Sequence, residues 1–155
     1  MRLYLVQHGD AVGKEVDPDR PLSETGRRDV DRLAAFLAER NIGAARVLHS
    51  GKTRARETAE ILAQAMAPGA QVEASRGLDP NDPTDTLARE VSGWADDALV
   101  VGHLPFMDRF VARLTTGDEE VSVAAFRPGS LVCLERGQAG RWVIAWMIRP
   151  ELLQP

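Results

Sequence analysis

A single cysteine, Cys133, stands in the whole chain of 155 residues. One thiol forms no internal disulfide and builds no multi-cysteine metal site. Its place in the alternating apolar run LVCLE marks it as a small core residue. Missing too is any stretch near the ~20 apolar residues that a membrane span requires. The opening residues MRLYLVQHG are interrupted by Gln7 and His8 too soon for a signal peptide, so a cytoplasmic protein with no membrane partner is expected. Positive charge is not in excess: 19 basic against 23 acidic residues leave a formal net charge of −4, which argues against unspecific binding to nucleic acid. Lysine is scarce, since only Lys14 and Lys52 among the basic residues are lysines. Internal repeats and low-complexity tracts are also lacking, which excludes solenoids and disordered linkers.

What remains is an ordinary globular composition, 44% hydrophobic and 27% charged, long enough to bury a real core in one domain. Short apolar runs alternate with amphipathic stretches. LYLV (Leu3–Val6) is a buried-type strand ended by Gly9. From LSETG onward the period lengthens, with Val30, Leu33, Ala34 and Leu37 at helical spacing, Ser23 as N-cap and Asn41 and Gly43 as the stop. RVLHS (Arg46–Ser50) is a second strand, and TRARETAEILAQAM a second helix carrying Ala55, Ala59, Leu62 and Met66 on one side. A short strand near Val72, a loop rich in Pro and Asp, and a third helix in TDTLAREVSGWAD follow. DALVVGH (Asp97–His103) is the strongest strand signal, and LPFMDRFVARLTTG a helix with Pro105 in its first turn. GSLVCLERG and GRWVIAWMIRP alternate like a hairpin about Gly137–Gly140. The expected fold is an α/β three-layer sandwich: a mostly parallel central sheet with an antiparallel edge, and helices on both faces. No linker is left over, so residues 1–155 are expected to form one domain.

Ligands of an open α/β sheet bind beyond the carboxyl ends of its strands. His8 ends the first strand, SGKTR follows the second, and His103 ends ALVVGH. These segments are distant in sequence yet are candidates to converge on one crevice. Ser50 is expected to cap the second helix, leaving free N–H groups at its positive end. Arg54, one turn along and in step with Ser50 and Thr58, suits a pair of phosphate oxygens; spacing alone equally fits a solvent-facing arginine.

Taken together, QHGDA, S-G-K-T-R-A-R-E-T and GHLP resemble the histidine phosphatase superfamily, whose signature is Arg-His-Gly at the first strand end, Ser-Pro-x-x-Arg-Ala-x-x-Thr at a helix start, and Gly-His after a later strand. HGDA, DRPLSETG, GHLP and the short chain look most like its SixA-type phosphohistidine phosphatases. The resemblance runs from Met1 to about Met147 and implies a phosphoglycerate mutase-like fold. It implies that His8 is a nucleophile that becomes phosphorylated, that Arg54 and His103 bind the phosphoryl oxygens, and that Gln7, Gly9 and Ser50 adjoin the phosphate. No metal or cofactor is implied, and the sequence offers no cluster with metal-ligand spacing. A neutral imidazole is a competent nucleophile once its second nitrogen is held by an acceptor.

Two positions depart from that pattern. Gln7 stands where the family has arginine, which removes a charge and a bidentate fork while keeping an amide donor. Gly51 stands for proline, expected as a mild change in turn stiffness. Arg20, in DPDRPLSETG, is a candidate to restore charge to the phosphate pocket. Asp79 and Asp82, in GLDPNDP, are the only acids placed near its mouth, and turn roles suit them better than acid catalysis. A missing strong acid favours a labile P–N bond, so the expected partner is a phosphohistidine-containing protein. A small phosphorylated substrate, or a low-activity phosphoprotein-binding domain, is the alternative. His49 is expected to be a packed or capping residue. Asp10 should bond locally to its loop, Trp94, Trp142 and Trp146 should pack in the core or on the sheet, and Asp118–Glu120 should form a solvated turn.

Overall fold

The computed structural model describes residues 1–155. Six strands form one sheet: β1 (Arg2–Gln7), β2 (Arg46–His49), β3 (Val72–Ala74), β4 (Ala98–Gly102), β5 (Leu131–Arg136) and β6 (Trp142–Ile148). Their order across the sheet is β3-β2-β4-β1-β5-β6. The first four run parallel, while β5 is antiparallel to β1 and β6 to β5. Four helices connect them: α1 (Glu24–Glu39), α2 (Thr53–Met66), α3 (Asp85–Ser92) and α4 (Phe106–Thr116).

Alternation along β1 separates two cores. Tyr4 and Val6 face Val30, Leu33 and Leu37 of α1 and Ala55, Ala59 and Leu62 of α2. Leu3 and Leu5 face Leu87 and Val91 of α3 and Phe106, Phe110 and Val111 of α4. A strand covered on both faces must be apolar at every position, and Leu3 through Val6 are at most 1% exposed. The sandwich expected from the sequence is therefore present, with α1 and α2 on one face and α3 and α4 on the other. Cys133 is fully buried against the α1 side, and burial pushes its thiol up to about 12, leaving it an inert core group.

Local signals set the element ends. Ser23 caps α1, its hydroxyl accepting from the Gly26 amide at 3.0 Å. Gly26 packs against the backbone of Asp10, where a side chain has no room, and a Cβ on Gly9 would meet Val30 and the Gly26 carbonyl. These two glycines let the first turn of α1 close onto the loop after β1 and so fix where His8 points. Pro105 stands one residue earlier than expected, at the N-cap of α4 rather than in its first turn. The run Asp118–Glu120 is not simply a solvated turn. Glu119 accepts from Thr84 and pairs with Arg109, tying the loop after α4 to the start of α3.

Candidate active site

Sheet order brings the site together. β4 lies between β1 and β2. Its register sets Gln7 opposite Gly102 and His49 opposite Val101. The next residue of each strand, His8, His103 and Ser50, therefore emerges at the same edge. The His8 and His103 rings lie 4.9 Å apart between centroids, and Ser50 Oγ is 2.6 Å from His103 Nε2. Arg54, in the first turn of α2, directs its Nε at His8 Nε2 over 3.3 Å. The convergence expected of these four residues is what the coordinates show.

The tautomer of His8 follows from its partners. Nδ1 lies 2.7 Å from the carbonyl of Gly9, which can only accept, so Nδ1 carries the proton. Nε2 is left unprotonated, its lone pair accepting from Arg54 Nε. Burial holds the His8 imidazole down at about 4, with Arg54 and Arg20 opposing protonation further and the Gly9 carbonyl working the other way. His103 is held at about 3, first by burial and then by His8, Arg54, Lys52 and Arg20. Both rings are neutral near pH 7. Arg54 is itself lowered from its ordinary value by burial and by Arg20, so the pocket concentrates positive charge. A hydroxyl both donates and accepts, so Ser50 can serve either tautomer of His103, whose buried Nδ1 has no hydrogen-bond partner.

Thr58 locks this arrangement. Fully buried, it accepts from the Gly9 amide at 3.0 Å and donates to the Arg54 carbonyl at 2.8 Å. One hydroxyl thus couples the loop carrying the histidine to the turn carrying the arginine. The sequence motif contains this threonine, but only the fold reveals its bond to Gly9. Glu57 adds a second tie, accepting from the Leu22 amide at 2.9 Å and pairing with Arg27 at 2.7 Å.

Two sequence expectations need correction at the β2–α2 turn. Ser50 does not cap α2; the N-cap is Lys52, which makes no side-chain capping bond, and the Ser50 hydroxyl is turned to His103. Gly51 is not a mild replacement for proline. Its φ is +92°, outside the range near −65° to which proline is confined, and its N–H donates to His49 Nδ1 at 3.0 Å, a bond proline cannot make. The capping role expected of His49 is thereby explained.

Gln7 is 8% exposed, and its side-chain oxygen is buried without a partner. Its backbone N–H donates to Ser130 O at 3.1 Å and its backbone carbonyl accepts from the Gly129 N–H at 3.0 Å, which fixes the strand end from the β5 side. Arg20 adopts φ +48° and donates Nε to the Val12 carbonyl at 3.0 Å. A left-handed arginine is strained, and such strain collects at functional sites. Asp79 and Asp82 behave as turn residues: the Asp79 amide donates to Asp82 at 2.9 Å, and Asp79 lies 3.8 Å from Lys52. Asp10 accepts from Ser23 at 2.6 Å, the local role expected of it. No group of three His, Cys, Asp or Glu side chains comes together as a metal site, and no helix is long and apolar enough to cross a membrane.

The neutrality of His8 has a measurable consequence. An NMR titration of its ring is expected to give a midpoint near 4; a midpoint near 6.5 would show that burial does not hold the ring below the ordinary histidine value. The unfolded chain, with ordinary histidines, takes up protons from about pH 6.5 downward while the folded chain does not. Stability contributed by His8 and His103 is thus complete above pH 6.5 and lost as pH falls toward about 4 and about 3. The slope approaches about 1.4 kcal/mol per pH unit for each ring. Urea midpoints at pH 7, 6 and 5 should decline accordingly, and less steeply in His103→Gln.

The pocket thus sets the unprotonated Nε2 of His8 and the Arg54 guanidinium beside a second histidine, beyond the ends of parallel strands. The chain matches the histidine phosphatase superfamily (branch 1) over residues 3–81, and it belongs to that family. This membership supports a phosphatase. Among its relatives, an uncharacterized protein of Picosynechococcus sp. is 33% identical over 125 residues, 76% of this chain and 74% of that one. The phosphohistidine phosphatase SixA of Escherichia coli is 23% identical over 155 residues, 97% of this chain and 94% of that one. The structure of a protein histidine phosphatase SixA complexed with tungstate superposes with a TM-score of 0.87 at 24% identity, covering 99% of this chain and all of the other. The phosphoglycerate mutase-like, SixA-type fold expected from the sequence is shown.

Proposed function

We propose that this phosphatase takes a phosphoryl group onto His8 Nε2 and that its substrate is phosphohistidine carried by a protein. The observation that carries the first half is the pairing of His8 Nδ1–H with the Gly9 carbonyl, which leaves Nε2 unprotonated beside Arg54. In the first step the Nε2 lone pair forms an N–P bond while the bond from phosphorus to the substrate's imidazole nitrogen breaks; the substrate ring, already carrying a solvent-derived proton on its other nitrogen, keeps the bonding pair and leaves as neutral imidazole. Arg54 and His103 bind the equatorial oxygens, where charge gathers in the transition state. In the second step water attacks phosphorus, the His8 N–P bond breaks, and phosphate is released with the imidazole restored.

Support for a P–N substrate comes from the lack of a free carboxylic acid beside the histidines. Asp79 and Asp82 are spent on a turn and on Lys52. An alkoxide leaving group needs a strong acid, whereas a protonated imidazole leaves unaided. The likeness to phosphohistidine phosphatases points the same way. The test is kcat/KM for a phosphohistidine-bearing protein against an alkyl phosphate monoester at pH 7.5. Preference for the phosphoramidate by a hundredfold or more is expected; a preference for the ester would replace this reading with a small-molecule phosphatase of the same mechanism.

Arg20 is assigned to the phosphoryl oxygens or to the group bearing them, with the Val12 carbonyl aiming its guanidinium. Arg20→Ala is expected to raise KM about tenfold, the scale of one charge-assisted hydrogen bond, with a smaller change in kcat. Unchanged phosphate binding and turnover would remove Arg20 from the site.

A further inference from the structure

The chain's only two lysines face the same cleft. Lys14 and Arg20 reach it from the loop between β1 and α1, and Lys52 and Arg54 from the turn and first residues of α2. The cleft measures about 400 Å³, and no hydrophobic residue lines it; Asp19 is its one acid. Of the four cations only Lys52 has a carboxylate within 4 Å, that of Asp79 at 3.8 Å. Elsewhere on the molecule Arg27, Arg109, Arg113 and Arg149 each hold a carboxylate partner. Four cations at one cleft of a chain with net charge −4 are a local reversal of its field.

The wall bearing Lys14 and Arg20 is held in place. Ala11 bridges Leu22 across the loop, the Val12 amide donates to Pro21 O at 3.0 Å, and Arg20 Nε donates to Val12 O at 3.0 Å. Opposite, the positive φ of Gly51 leads directly into Lys52. Arg54 belongs to both compartments, lining the cleft while its Nε points at His8. A single phosphoryl group on His8 engages Arg54 and leaves Lys14 without a carboxylate partner and Lys52 with Asp79 alone, 3.8 Å away.

We infer that Lys14 and Lys52 form a second anion subsite beside the phosphoryl pocket, for a carboxylate or phosphate borne by the same substrate. The inference rests on the reading of the His8 pocket as the phosphoryl site. For a protein substrate, the second anion is an aspartate or glutamate next to the phosphohistidine. The inner pocket has lost a charge at Gln7 while the outer cleft carries two lysines, so recognition is shifted from the phosphoryl group toward its surroundings. Lysine suits this role, since an ammonium on a flexible stem accepts a carboxylate or a phosphate without demanding one geometry.

The test measures binding of methylenediphosphonate, which cannot be cleaved, against orthophosphate by calorimetry at pH 7.5 and 0.15 M salt. In the unaltered chain the diphosphonate is expected to bind about tenfold more tightly, or about 1.4 kcal/mol. In the double variant Lys14→Gln/Lys52→Gln that ratio should fall to about two; a ratio that survives the double substitution overturns the subsite. A second arm compares hydrolysis of phosphohistidine peptides with Glu or Gln beside the modified residue. Faster turnover of the Glu peptide, lost in the double variant, assigns the anion to a protein partner. Equal rates with the diphosphonate preference intact assign it to a small substrate with two anionic groups. Turnover of neither peptide, with that preference intact and lysine-dependent, leaves the subsite standing and removes the phosphohistidine reading instead.

Discussion

His8→Ala is expected to lower phosphate release by about 10⁴-fold or more and to abolish a covalent phosphoryl-enzyme. No neighbour can take over. The Nε2 of His103 is engaged by Ser50 at 2.6 Å and its Nδ1 is buried, while the Nδ1 of His49 is held by the Gly51 amide at 3.0 Å. Arg54 would lose the acceptor its Nε faces, which adds a smaller cost through disorder of the guanidinium. Folding should survive, because His8 lies outside both hydrophobic cores. The measurement is a rapid quench with substrate labelled at phosphorus. The unaltered chain should retain label that is stable to alkali and lost in acid, as a phosphoramidate is; His8→Ala should retain none. Label that persists in the variant would move the nucleophile elsewhere.

Gln7→Arg carries the next largest effect, in the opposite direction. Removing one preorganised donor from an oxyanion site costs roughly 100- to 1000-fold in rate, and an amide recovers part of that. Restoring the guanidinium should therefore raise kcat/KM by about 10- to 100-fold. The same substitution removes a buried oxygen that has no protein partner, a relief of about 1–3 kcal/mol. Against this, a further cation beside Arg54 and Arg20 adds repulsion to a pocket already short of negative charge. Phosphate should consequently raise the melting temperature of Gln7→Arg more than that of the unaltered chain, because the ligand cancels a larger charge. A chain inactive with glutamine and active with arginine would identify a scaffold whose role is phosphoprotein binding. A loss of activity in Gln7→Arg would show that the amide itself is the fitted group.

Much of this site could be seen in the sequence because its chemistry falls where local pattern changes. His8 and His103 each follow an apolar run, and Arg54 opens an amphipathic one, so strand ends and a helix start are legible from periodicity alone. That they meet depends on β4 inserting between β1 and β2, a long-range choice that no single segment encodes. The misreadings share that cause. Ser50 has the composition of a cap, but its hydroxyl is captured by His103, 53 positions away. Glu119 sits in an acidic run typical of exposed turns, yet Thr84 and Arg109 draw it inward. Lys14 and Lys52 are visible as the only lysines, but their common cleft follows from the loop that folds back through Val12 and Pro21.

The turn after β2 also limits what position 51 can hold. At φ +92°, with its amide committed to His49, Gly51 occupies a conformation from which the family's proline is barred. The glycine therefore acts as a one-residue latch on the turn: a proline at position 51 would force a new backbone path and release His49 from its amide partner.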